Sequence, residues 1–143
     1  MLLFDVNIYL YAHREDSVHH RQIRDHLETC LSGTDVVGYA PLVLSGFLRI
    51  ATHPKIFNPP TDLDTAMTFC SSIAELPGLV PIVPQDSHWS IFSHLLRASG
   101  ARGNLVPDAW FAALAIEHGC TWVTTDQDYA RFPGLRVEYP LRL

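Results

Sequence analysis

The chain has 143 residues, 48% of them hydrophobic and 17% charged, with a formal net charge of −5. That length and balance describe one domain, residues 1–143, able to bury its own core; they exclude a disordered tail. A pI near 5.8 excludes a basic nucleic-acid coat protein, but not a nuclease, whose clustered carboxylates lower the net charge while a few arginines meet phosphate.

Residues 2–5 read as a short buried strand and Val6 to His13 as a first helical stretch. A second helix is expected over roughly residues 18–31, capped by Asp16 or Ser17 and stopped near Gly33. Val36 to Tyr39 is a strand, followed by a helix from Leu42 to about Thr52 that His53-Pro54 terminates. After the loop Asn58-Pro59-Pro60, a helix starts at Thr61 or Asp62 and runs to about Leu76. Leu79 to Val83 is a strand, and Asp86 or Ser87 caps a helix with Trp89, Phe92, Leu95 and Leu96 on one face. A very apolar helix from about Val106 to His118 stops at Gly119. Strand Thr121 to Thr125, a short helix after Asp126 and an edge strand Arg136 to Glu138 complete the chain. Strands alternating with helices through short loops predict an α/β fold: a three-layer α/β/α sandwich around a mostly parallel sheet.

No apolar run is long enough to cross a membrane. The N-terminus, Met1-Leu2-Leu3-Phe4-Asp5, has no basic segment ahead of its apolar residues, unlike a signal peptide. Cys30, Cys70 and Cys120 are odd in number and form no Cys-x-x-Cys, so they read as buried thiols in a reducing compartment. The expected location is the cytoplasm.

Four aspartates stand where a parallel sheet builds a site. Asp5 closes Leu2-Leu3-Phe4, Asp108 lies in the first turn of the apolar helix, and Asp126 and Asp128 follow Thr121 to Thr125. A crevice at the carboxyl edge of the strands collects such residues. The helix macrodipole favours an anion at Asp108. Each acid alone could be a helix cap or surface charge. Together they repel and raise one another's pKa unless a cation neutralises them. Acids with no His/Cys cluster suggest a hard divalent ion, Mg²⁺ or Mn²⁺. Asp5 and Asp108 are the first choice as direct ligands, with Asp126 as holder of metal-bound water or base and Asp128 behind it. Asn7, Ser45 and Thr125 are the candidates to support these groups from behind. If the chain stays extended, Asn7 points the same way as Asp5.

The segments that carry these residues are Leu2-Leu3-Phe4-Asp5-Val6-Asn7, the helix Pro41-Leu42-Val43-Leu44-Ser45-Gly46-Phe47-Leu48-Arg49 ending in Thr52-His53-Pro54, Leu105-Val106-Pro107-Asp108-Ala109, and Thr124-Thr125-Asp126-Gln127-Asp128-Tyr129. In order and spacing, from end to end, they resemble the PIN-domain family, and within it the VapC-type toxins of bacterial toxin–antitoxin pairs. The resemblance implies a Mg²⁺- or Mn²⁺-dependent endoribonuclease acting on structured RNA such as tRNA or rRNA, a homodimer, and neutralisation by a cognate VapB-like antitoxin. It places Asp5, Asp108 and Asp126 on the family's acidic positions, with Asp128 as a frequent further acid. It also implies that the second helix and the Leu42 to Ile50 helix meet the antitoxin and the dimer partner. One departure stands out: many members carry Glu in the middle of the third helix, where this chain has Gly46. Glycine there costs about 1 kcal/mol relative to Ala, so either a neighbouring helix approaches closely or the space is kept for water or substrate. The expectation is one firmly held ion and a second recruited weakly.

Phosphate must be met outside the acid cluster, and nine of the ten basic residues are Arg, whose planar fork suits it. Arg49 borders the site from an otherwise apolar helix; Arg14 and the Gly100-Ala101-Arg102-Gly103 loop are further candidates for RNA. His19, His20 and His26 are expected to face solvent; an approach of His13 to RNA is the lesser of its readings. The absence of His-x-x-x-His or His-Glu-x-x-His spacing argues against zinc. Trp89, Trp110 and Trp122 read as core or dimer packing. Two other functions compete. Gly46 allows a degenerate domain that binds RNA or protein without cutting. A phosphohydrolase with Asp5 as nucleophile would need Asp-x-Asp and a phosphate-holding Lys, whereas the chain has Asp5-Val6-Asn7 and only Lys55.

Overall fold

Five strands of two or three residues form one parallel sheet in a computed structural model that describes residues 1–141. They are β1 (Leu2–Phe4), β2 (Val37–Tyr39), β3 (Val80–Pro81), β4 (Thr121–Val123) and β5 (Arg136–Glu138), in the spatial order β3-β2-β1-β4-β5. Every pairing is parallel. The helices are α1 (Val6–His13), α2 (His20–Ser32), α3 (Pro41–Ala51), α4 (Leu63–Ala74), α5 (His88–Ser99) and α6 (Leu105–Glu117), with a 3-10 turn at Gln127–Arg131. The predicted sandwich is therefore present, with a sheet that is parallel throughout.

The order of the strands divides the helices into two layers. From β1 the chain steps outward through β2 to β3, then returns across the sheet to β4 and β5. Right-handed crossovers running in opposite directions put their helices on opposite faces. α1 to α4 therefore cover one face, α1 packing against both α2 and α3 and α3 against α4, while α5 and α6 pair on the other. The direction reverses between β1 and β4, and a parallel sheet opens its ligand crevice there, beyond the strands' carboxyl ends. Leu3, Phe4, Trp122 and Val123 are wholly buried at the centre. Ala109, Ala112, Ala113 and Ala115 in α6 are also wholly buried, small side chains that let this helix lie close over the sheet.

Local chemistry sets most boundaries. Pro41, at the first position of α3, has the φ of a helix start and lacks an N–H that would go unused. Asp62 caps α4, accepting from the Thr65 N–H at 3.0 Å. Four details differ from expectation. β4 stops at Val123; the Thr124 N–H still donates to the Glu138 carbonyl at 3.1 Å, but its hydroxyl turns into the site described below. α2 begins at His20 with no capping side chain, since the Ser17 hydroxyl donates instead to the carbonyls of Arg14 (2.7 Å) and Tyr11 (3.3 Å). His20 is drawn inward to the Tyr11 carbonyl, 2.8 Å from Nδ1, rather than left to solvent. At α5 neither Asp86 nor Ser87 supplies a cap bond; Glu117 at the end of α6 accepts from the backbone N–H groups of Gln85 (2.7 Å) and Ser87 (2.9 Å). Among the tryptophans, Trp122 is core as expected, but Trp89 is 67% exposed.

Candidate active site

Asp5 leaves β1 at the centre of the sheet and at once becomes the N-cap of α1, its Oδ1 accepting from the Val6 N–H at 2.7 Å. The pairing of Phe4 with Val123 brings the residue after β1 level with the residue after β4, so Asp5 meets Thr124. The Thr124 hydroxyl donates to Asp5 Oδ2 at 2.7 Å and accepts from the Asp126 N–H at 3.0 Å. Asn7 reaches back from the first turn of α1. Its Nδ2 donates to Asp5 Oδ2 (3.2 Å) and Thr124 Oγ1 (3.3 Å), and its Oδ1 accepts from the Thr125 N–H (3.4 Å). Asn7 is thus a support of Asp5, but through a helix rather than an extended chain. Of the two threonines, Thr124 and not Thr125 supplies the hydroxyl; Thr125 contributes only its backbone.

A crevice of 370 Å³ lies above these groups, lined by Asp5, Asn7, Arg49, Asp108, Asp126 and Tyr129 among others. The predicted convergence of Asp5, Asp108 and Asp126 is therefore present. Burial above all, with the charges of Asp108 and Asp126 adding to it, lifts the Asp5 carboxyl to a pKa of about 6 against the pull of its Thr124 and Val6 hydrogen bonds. Asp108, half-buried in α6, is also raised, first by burial and then by Asp126 and Asp128. The Tyr129 hydroxyl donates to Asp108 Oδ1 at 3.2 Å. Tyr129 is fully buried between Trp122 and Phe132, and burial beside three carboxylates holds its hydroxyl far above its ordinary pKa, so it stays a neutral donor.

Other expected members lie elsewhere. Asp128 is 57% exposed, turned toward Arg131 at 3.4 Å, and does not line the crevice; it cannot replace a missing acid there. Arg14 is committed to Asp16 at 2.6 Å, stacks over Phe57 and donates to Thr61. Arg102 is exposed on its loop, outside the crevice lining. His13 is wedged against Phe47 and Phe69 and reaches Thr61, not the acids. Ser45 is exposed and borders an adjoining hollow instead of supporting a carboxylate. Arg49 alone of the three arginines borders the acids. Gly46 has a packing reason: a Cβ there would sit 3.0 Å from Val6 Cγ2, because α3 crosses close over the start of α1. Tyr129 was not anticipated, and only its place directly after the second acid of Asp126-Gln127-Asp128 hints at it.

An ionised carboxylate can accept about four hydrogen bonds. Asp5 uses three; Asp108 and Asp126 each take one from the described protein groups. Each therefore keeps an oxygen lone pair toward a ligand. Among the described residues no three His, Cys, Asp or Glu side chains stand close enough together to grip an ion as a preformed cage. Such an open arrangement fits a hard cation that takes one or two carboxylates and keeps its waters.

Comparison with known proteins places this geometry. The PIN domain family profile matches residues 2–135. A VapC ribonuclease of Mycobacterium bovis is 36% identical over 141 residues, covering 99% of this chain and 96% of its own length. The VapC25 ribonuclease of Mycobacterium tuberculosis is 36% identical over 136 residues, covering 95% of this chain and 96% of its own. In three dimensions the chain resembles VapBC2 from Rickettsia felis, a structure bound to a DNA fragment from its promoter, with a TM-score of 0.70 at 20% identity over 96% of this chain and 97% of that one. With the family profile spanning nearly the whole chain and curated VapC relatives aligned from end to end, the protein belongs to the PIN-domain family.

Proposed function

We propose that this protein is the toxin of a toxin–antitoxin pair and an endoribonuclease that hydrolyses structured RNA with the help of Mg²⁺ or Mn²⁺. The observation that carries the reading is one crevice at the switch point of the sheet that holds three carboxylates with oxygens to spare, Asp5, Asp108 and Asp126, and, among the described residues, one arginine, Arg49. The VapC relatives, ribonucleases by name, support the substrate class.

Asp5 and Asp108 are the groups to hold the ion, which when bound supplies an acidified water and offsets charge on the phosphodiester. Thr124 and Asn7 fix the Asp5 carboxylate, and Tyr129 fixes Asp108, so that each presents its remaining lone pair to the crevice. Asp126, free at one oxygen, orients the attacking water and takes its proton. Arg49 meets the phosphate from the opposite wall. The antitoxin's place is on α2 and α3, the two helices to which the family resemblance assigns it.

The test is cleavage of a structured RNA by wild type and Asp108→Asn, in Mg²⁺, in Mn²⁺ and in EDTA. The expected result is metal-dependent cutting by wild type, lowered at least a hundredfold in the variant. Equal cutting by both proteins would sink the reading, and binding without cutting by either would favour a non-cleaving RNA-binding domain.

A further inference from the structure

Beside the acidic crevice lies a second hollow, of 330 Å³, with a different chemistry. Its walls are apolar and aromatic, from Val6, Trp110 and Phe111, and Ser45 and Arg49 stand at its edge. Val6, Arg49 and Phe111 also line the crevice, so the two spaces share a wall and a cation. Gly46 forms part of the hollow's surface, and any side chain there would start 3.0 Å from a Val6 methyl, at the boundary between the two. Both rings are held from behind: Phe111 stacks on Trp122 with centroids 5.6 Å apart, and Trp110 is clamped by His88 at 4.1 Å and Phe92 at 5.2 Å.

We propose that this hollow seats an unstacked nucleobase next to the phosphate held at the acids. The assignment rests on the ribonuclease reading above and adds a base subsite to it. An RNA strand crossing from crevice to hollow would pass Arg49, placed between the two spaces to meet the phosphate, while the base exchanges neighbouring bases for protein rings. Double-stranded RNA hides its bases from such a hollow, whereas a loop or bulge can splay one out. The absence of a side chain at Gly46 keeps the passage open.

The probes are a fluorescent single-stranded rA octamer and an octamer of the same ribose-phosphate backbone without bases. Binding is measured by anisotropy in Mg²⁺ to Asp108→Asn, which retains the strand without cutting it. The base-bearing strand is expected to bind about five- to a hundredfold more tightly than the abasic one, the range that one stacked base gives. Gly46→Leu and, at the exposed rim, Ser45→Trp should each fill the hollow and bring that ratio down toward one while leaving abasic binding unchanged. The Ser45 variant lies outside the core, so it keeps the test valid should Gly46→Leu fail to fold. Equal binding of the two octamers, or an unchanged ratio in a folded variant, overturns the proposal. An unchanged ratio with altered mass in sedimentation would do so too, marking the hollow as a surface between copies of the chain. Wild-type cleavage without any base preference in binding rejects the subsite alone; base-dependent binding without cleavage rejects the enzymatic reading alone.

Discussion

The Thr124 hydroxyl donates to Asp5 Oδ2 at 2.7 Å, joining residues 119 positions apart across the carboxyl ends of two neighbouring strands. With its donor on Asp5 and its acceptors taken by the Asp126 and Asn7 N–H groups, this one hydroxyl ties three site residues together. Replacing it by Val leaves a buried carboxylate short of a donor, at a cost of about 1–3 kcal/mol. Thr124→Val should unfold at lower temperature, and its activity should rise with pH later than wild type, because the lost bond was holding the Asp5 pKa down. Thr124→Ser should restore both. Thermal melts and pH–rate profiles of the three proteins check it.

Burial gives the folded protein a pH dependence of definite sign. The folded Asp5 pKa, about 6, lies above its ordinary 3.8, so the folded state holds the proton more tightly than the unfolded chain. The stability from this group is complete below pH 4 and is lost as pH rises through 6, a change of about 3 kcal/mol. Asp108 is shifted in the same direction. Metal-free protein should therefore lose melting temperature over this interval, and less so as Asp5→Asn. Mn²⁺ added at pH 7 should raise the wild-type melting temperature, and at pH 4 it should not. A wild-type curve parallel to that of the variant would contradict the assignment.

Tyr129→Phe isolates one hydrogen bond. The ring keeps its contacts with Trp122 and Phe132, and Asp108 loses its only protein donor among the described residues. The fold should lose no more than about 1.5 kcal/mol. Mn²⁺ affinity, read by calorimetry, should fall severalfold and turnover about tenfold. Unchanged affinity would show that Asp108 does not need the hydroxyl to hold its orientation.

Arg49 is the one cation among the described residues that line the crevice. Arg49→Ala should weaken binding of every RNA tested by a similar factor, and lower the slope of log K against log salt by about 0.7, the contribution of one phosphate contact on a single strand. Titrations at four salt concentrations would show it. An unchanged slope would place Arg49 away from the backbone.

Glu117 offers a purely structural test. Its carboxylate receives two backbone N–H groups at the start of α5 and is itself nearly buried. Glu117→Ala should cost about 0.5–2 kcal/mol, the loss of a helix cap whose donors then turn to water, with RNA cleavage unaffected below the lowered melting temperature.

The sequence by itself determined the alternation of strand and helix, the parallel sheet and the three acids Asp5, Asp108 and Asp126, because periodicity, proline and glycine placement and strand-end carboxylates are local signals. At Gly46 the sequence left a close approach and a reserved space both open; the fold supplies the neighbour, Val6. Only the tertiary structure decided the rest. Strand register, fixed by pairing between β1 and β4, selected Thr124 over its neighbour Thr125. Helix geometry turned Asn7 back onto Asp5. Long-range contacts gave α5 a cap from Glu117 and Asp108 a donor from Tyr129, and steered Asp128, Arg14 and Arg102 to partners or solvent away from the crevice. Such roles depend on which side chains meet across distant segments, and the meeting is settled by packing the whole chain, not by the composition of any one stretch.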